Sequence, residues 1–117
     1  MNIEDLRIYC LNKQAVTESF PFDETSLVFK VKNKMFAILS LDDDLAISLK
    51  CDPERAIELR EKYPAIIPGY HLNRKLWNTI YIDDSISGKL ITELIDHSYA
   101  LIVASLPNKL KQELENL

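Results

Sequence analysis

Three consecutive stretches in the first half of the chain alternate apolar and polar positions with a period of two. Ser26 to Lys32 sets Leu27, Phe29 and Val31 against Lys30 and Lys32. Met35 to Leu41 is apolar on both sides, with Met35, Ala37, Leu39 and Leu41 facing one way and Phe36 and Ile38 the other. Leu45 to Lys50 sets Leu45, Ile47 and Leu49 against Ala46, Ser48 and Lys50. Tight turns at Asn33 and at Asp42-Asp43-Asp44 join them, which predicts an antiparallel meander whose middle strand is interior.

Elsewhere the period changes to 3.6. Asn2 caps a first helix, with Asp5 at its third position and Ile3, Leu6, Tyr9 and Cys10 at helical spacing. Asp52 caps and Pro53 opens a second helix, which runs to about Tyr63 before Pro64 stops it. Arg55, Arg60 and Lys62 alternate there with Glu54, Glu58 and Glu61, as on a solvated, salt-bridged face. Ser87 caps a third helix reaching about Ser105, with Leu90, Ile91, Leu94, Ile95, Ser98, Leu101 and Ile102 on one broad stripe that should pack across the sheet. After Pro107 a short terminal helix carries Leu110, Leu114 and Leu117. Val16 to Asp23, interrupted by Phe20-Pro21-Phe22, reads as an extended connection covering an edge of the core.

The segment Pro68 to Ile82 concentrates recognition chemistry. It holds the only tryptophan, a histidine, two adjacent bases and no acid. Its punctuation predicts a β-hairpin: Tyr70 to Leu72 as a short strand, Asn73 to Lys75 as the turn, and Leu76 to Ile82 as the return strand. The fold class expected is therefore α+β, in the order α-βββ-α-ββ-α-α. It has an antiparallel sheet of about five strands (a three-strand meander plus a hairpin) with helices packed on it, all in one domain spanning residues 1–117.

The residues Pro68-Gly69-Tyr70-His71-Leu72-Asn73-Arg74-Lys75-Leu76-Trp77-Asn78-Thr79 resemble the signature of the MmcQ/YjbR family, whose usual form is Pro-x-Tyr-His-Met-Asn-Lys-x-His-Trp-Asn-Thr. Leu72 stands where methionine is usual, Arg74 for the first lysine, and Leu76 where histidine is common. Phe20-Pro21-Phe22 leading into Val28 to Val31 and Lys34 to Ala37 is similar to the family's first hairpin, with Asp23-Glu24 replacing Gly-Pro. Lys50 to Glu54 is similar to its strand-to-helix junction. The resemblance implies a small α+β fold and a DNA-binding role through two wing-like hairpins.

Charge sharpens that expectation. The chain has 14 basic and 18 acidic residues, a formal net charge of −4, which opposes generic binding of a polyanion. Residues 26–41, however, carry Lys30, Lys32 and Lys34 without an acid, and residues 68–82 carry Arg74 and Lys75 without one, so nine bases face eighteen acids elsewhere. The nucleic-acid-binding residues expected are these five cations, with Tyr70, His71, Asn73 and Asn78 as further contacts and Trp77 as a stacking surface. Each also has a structural reading: strand lysines form the wet face of a sheet or guard its edge, and tryptophan is more often a core anchor.

No nucleotide fingerprint or phosphate-cradling glycine loop occurs, and with two histidines no catalytic constellation is evident apart from an unoriented Cys51–His71 combination. The expectation is a non-enzyme without cofactor or metal. The three aspartates lack the spaced ligands and glycine of a calcium loop and suit a turn instead. Cys10 and Cys51 have no CxxC spacing and read as free, buried thiols. No apolar window reaches the length of a membrane span and no leader is apparent, so a cytoplasmic monomer is expected. Two other functions remain in view: a protein- or peptide-binding adaptor using a sheet face or edge, and small-molecule binding in a hollow beside His71 and Asn73.

Overall fold

The computed structural model describes residues 1–42, 44–69 and 72–117. In chain order the elements are α1 (Ile3–Leu11), β1 (Val16–Ser19), β2 (Ser26–Val31), β3 (Lys34–Ser40), β4 (Ala46–Lys50), α2 (Pro53–Lys62), β5 (Ile66–Pro68), β6 (Trp77–Tyr81), α3 (Gly88–Ser105) and α4 (Asn108–Glu115). The strands form one antiparallel sheet in the order β1-β2-β3-β4-β6-β5. The fold is α+β, as the patterning predicts, with six strands among the described residues where about five were expected.

The extra strand is β1. Val16–Ser19 is not a loose connection: it pairs with β2 from Val16↔Val31 to Ser19↔Val28. The positive φ of Ala15 turns the chain into it, and Glu18 holds Arg7 of α1 through Oε2···Nε at 2.8 Å. The hairpin is also shifted. Its first strand is β5, pairing as Ile66↔Ile80, Ile67↔Thr79 and Pro68↔Asn78, so Ala65 to Ile67 is strand and approach together. The apolar Ile66-Ile67 pair outcompetes the polar residues that follow for a place against β6. The expected strand at Tyr70–Leu72 falls partly outside the described residues, which omit Tyr70 and His71, and Leu72 itself is not in a strand.

The caps appear where the sequence puts them. Asn2 and Asp5 form a reciprocal capping box, Asp52 Oδ2 accepts from the Arg55 N–H at 3.2 Å, and Ser87 Oγ accepts from the Leu90 N–H at 3.1 Å. Lys32 and Asn33 both have positive φ, the mark of a two-residue type I′ turn whose twist suits the β2–β3 hairpin. α3 crosses β2, β3 and β4 on one face, α1 sits by β1 and α2 by β5. Leu27, Phe29, Val31, Ala37, Leu39, Ile47 and Leu49 are buried beneath this layer with Leu6, Ile91, Leu94 and Ile95.

One departure from strict alternation shapes the molecule. The β2–β3 register shifts after Phe29↔Ala37, leaving Phe36 as a bulged residue before Lys30↔Met35. Phe36 thereby joins Ala37 and Leu39 in the helix-covered core, and Met35 joins Ile38 on the opposite face, reversing the sides expected for both. Ser98 of α3 secures the bulge. Its buried hydroxyl donates to the Phe36 carbonyl at 2.6 Å and accepts the Lys50 N–H at 2.9 Å.

Candidate nucleic-acid interface

The turns of both acid-free segments lie at one end of the sheet. β2 and β3 meet at Lys32-Asn33, and the register Lys50↔Trp77 sets the start of β6, just after Arg74 and Lys75, beside the end of β4. Three strand spacings separate the two loops across the order β2-β3-β4-β6-β5, which amounts to about 14 Å. Between them come Lys50 and then Asp52, an acid engaged as the cap of α2.

The individual cations differ. Lys34, Arg74 and Lys75 are exposed and Lys30 is half-buried on β2. Among the described residues no carboxylate lies within ion-pair distance of these four. Lys32 is engaged instead, its Nζ 3.1 Å from Glu113 Oε2 of α4. A pair so exposed contributes at most about 1 kcal/mol and yields readily to a stronger anion.

The loop carrying Arg74 and Lys75 is held from beneath. Asn73 Oδ1 accepts the Lys75 N–H at 3.0 Å, and the Asn73 carbonyl accepts the N–H groups of Leu76 and Trp77, forming one tight turn. Gly69 N–H donates to the Trp77 carbonyl at 2.8 Å and closes the loop. A Cβ on Gly69 would come within 2.8 Å of Trp77 Cβ, so this approach requires glycine. From α2, Arg60 Nε donates to Asn78 Oδ1 at 2.6 Å, and its terminal nitrogen donates to the Arg74 carbonyl. Asn78 in turn donates from Nδ2 to the Ala56 carbonyl at 3.3 Å. The expected ion-paired face of α2 is corrected accordingly: among the described residues Arg60 meets no glutamate and engages the carbonyl and amide oxygens of the loop instead.

Two expected contact residues are therefore supports. Trp77 is 8% exposed and Asn78 is 3% exposed, which leaves neither a face to stack on nor an amide to offer. Asn73 is exposed but its carboxamide oxygen is committed to the turn. Tyr70 and His71 lie outside the described residues. Sequence inspection missed Arg60, whose matched glutamates masked it. It also missed His97, whose Nε2 accepts the Asp52 N–H at 3.1 Å and ties α3 to the start of α2. Burial, and then the nearby Arg55 charge, push the His97 imidazole below its ordinary value. The Cys51 thiol is pushed up, first by burial, which disfavours the thiolate a nucleophile would need. Cys10 is pushed up to about 12 by burial.

The helix-free face of the sheet is the other notable surface. It is concave, with a hollow of about 810 Å³ whose lining includes Met35, Ile38, Ala46, Leu72 and Tyr81. Among the described residues no helix is long and apolar enough to cross a membrane.

Comparison with known proteins agrees with this architecture. The family model described as YjbR matches residues 11–101. The chain is 34% identical over 118 aligned positions to the "Uncharacterized protein YjbR" of Escherichia coli strain K12, covering 100% of both sequences. It is 37% identical over 91 positions to the "Uncharacterized protein YbdF" of Escherichia coli O157:H7, covering 77% of this chain and 75% of that one. A crystal structure of a Deinococcus radiodurans protein with a DUF419 domain superposes with a TM-score of 0.92 at 40% identity, over 97% of this chain and 88% of the other. A model matched along most of the length, with relatives at this identity from end to end, means that the chain belongs to the YjbR family.

Proposed function

We propose that this protein is a non-catalytic nucleic-acid-binding module that contacts duplex DNA through the end of its sheet. Lys30 and Lys34 serve as one wing, Arg74 and Lys75 as the other. The observation that carries the reading is the emergence of two cationic, acid-free loops at the same end of an otherwise acidic molecule. Their separation of about 14 Å is comparable to the roughly 12 Å width of the major groove, which lets each loop reach one of the bordering backbones. Lys32 joins them if a phosphate displaces Glu113, and Tyr70 and His71 stand next to the second loop in sequence. Trp77, Asn78 and Arg60 act on the ligand only by holding Arg74 and Lys75 in place.

Four phosphate contacts correspond to a slope of about −3.6 in log affinity against log salt. The test is fluorescence anisotropy with a labelled duplex across a salt series. Arg74→Ala with Lys75→Ala should bring the slope about 1.8 closer to zero, with Lys30→Ala and Lys34→Ala acting similarly. Undetectable binding at low salt, or a slope indifferent to these substitutions, refutes the reading.

A second reading, a protein- or peptide-binding adaptor, draws support from the open sheet. β1 is an edge strand of four residues, and Phe20 and Phe22 beside it are 49% and 67% exposed. Such an edge can accept an added strand. Loss of a captured partner on Thr17→Pro, which places a proline in the edge strand, would favour it over the first reading.

A further inference from the structure

The hollow on the helix-free face borders the contact proposed above, since Met35 of its lining is the register partner of Lys30 and Leu72 precedes the second loop, but none of the five cations lines it and its chemistry points elsewhere. Much of its floor is apolar: Met35, Ile38 and Ala46 project into it, and the bulge at Phe36, which brings Met35 and Ile38 to the same side, bends β3 around it. Phe22 and Tyr81 add aromatic walls and Leu72 closes one side. Volumes of this size, mainly apolar with a few polar groups, are typical of small-molecule sites.

Two features define the polar end of an occupant. Asp23, Asp42 and Asp44 all line the hollow, and among the described residues no lysine or arginine does. Hydrogen bonds from Thr25 and Ser26 hold the Asp23 carboxyl below the ordinary carboxylate range, so its charge persists. These acids do not converge as metal ligands would, since among the described residues no three acidic, histidine or cysteine side chains form a chelating group. They act as a negative field at one end of an apolar trough. In the floor, Ser48 Oγ and Thr79 Oγ1, each 7% exposed, share one hydrogen bond of 2.8 Å. Two hydroxyls offer four lone pairs and the mutual bond uses one, which leaves this pair able to accept an N–H from a guest.

We propose that this face binds a small organic ammonium compound, its apolar or aromatic body against Met35, Ile38 and Tyr81 and its cationic head toward Asp23, Asp42 and Asp44. Anionic ligands are disfavoured by the same carboxylates, and polyanions are kept to the far end of the sheet, where Lys30 and Lys50 stand. The lining shares none of the cations of the nucleic-acid contact, so either proposal can fail without the other.

The test uses three phenyl-bearing probes of similar size: 2-phenylethylammonium, neutral 2-phenylethanol and anionic 3-phenylpropionate, titrated into the isotope-labelled full chain with amide shifts read by NMR. The ammonium probe should move the amides of Ile38, Ala46, Ser48 and Thr79 together. It should bind about fivefold more tightly than the alcohol for each carboxylate it approaches within about 4 Å, with the carboxylate probe weakest. Asp42→Asn should reduce the ammonium preference while leaving alcohol binding unchanged, and Ala46→Leu, which fills the floor, should weaken all three. Asp44→Asn provides the same readout should Asp42→Asn disturb the turn. Shifts confined to other surfaces, no shifts up to tens of millimolar, or equal binding of the three probes overturn the proposal. So does a dimer by sedimentation that covers these amides against every probe.

Discussion

Replacing Arg60 with methionine tests the half-buried brace beneath the proposed contact loop. The substitution keeps the aliphatic stem and removes the guanidinium, and with it the 2.6 Å bond to Asn78 Oδ1 and the bond to the Arg74 carbonyl. The two losses are unequal. The Arg74 carbonyl sits in an exposed loop and is rehydrated at little cost, whereas Asn78 is 3% exposed and its oxygen is left without a partner. Hydrogen bonds to charged groups contribute about 1.5–3 kcal/mol, and a stranded buried acceptor costs about 1–3 kcal/mol, so a loss of about 2–3 kcal/mol of stability is expected. With a urea dependence of about 1–3 kcal/mol per molar, the midpoint should fall by about 1 M or more. Asn78→Ala and the double variant complete a cycle whose coupling should be about 1–2 kcal/mol, while Arg55→Met controls for the lost charge. Additivity of the two substitutions to within about 0.5 kcal/mol, or an unchanged midpoint, would show that Arg60 does not brace the loop.

Other substitutions probe the remaining supports. Ser98→Ala strands the Phe36 carbonyl and the Lys50 N–H at the bulge and should cost about 2–4 kcal/mol by urea denaturation, with Ser98→Thr recovering part of it if the added methyl is accommodated. Gly69→Ala forces a Cβ to 2.8 Å from Trp77 Cβ and should destabilise the hairpin by about 1–3 kcal/mol, with amide exchange quickening first at Gly69 and Trp77. His97 has its imidazole value lowered in the folded state, so the unfolded chain takes up the proton first on acidification. Its contribution is complete above the ordinary value of about 6.5 and is lost as pH falls through the lowered folded value. His97→Gln should flatten the drop in urea midpoint between pH 7.5 and 5, and an unchanged profile would remove this histidine from the pH response.

The helix caps, the tight turn at Asn33, the meander and the apolar stripe of α3 could be read from the chain because each is specified by neighbours a few residues apart. A proline at N1 or a serine before a 3.6-residue repeat acts locally, wherever the segment ends up. The sequence by itself also revealed that two segments are basic without acids and that Trp77 belongs to a distinctive motif. It did not decide that β1 would pair at an edge, that Ile66-Ile67 would take the place beside β6, or that Phe36 would bulge toward the helices, since each outcome depends on which partner strand competes best. Burial decided the roles of Trp77 and Asn78, and a contact across eighteen residues turned Arg60 from one of many surface charges into a brace. The hollow belongs to the same class: Asp23, Met35, Ser48 and Thr79 are scattered along the chain, and only the sheet's register, with the bend of one bulged strand, brings their side chains to a common surface.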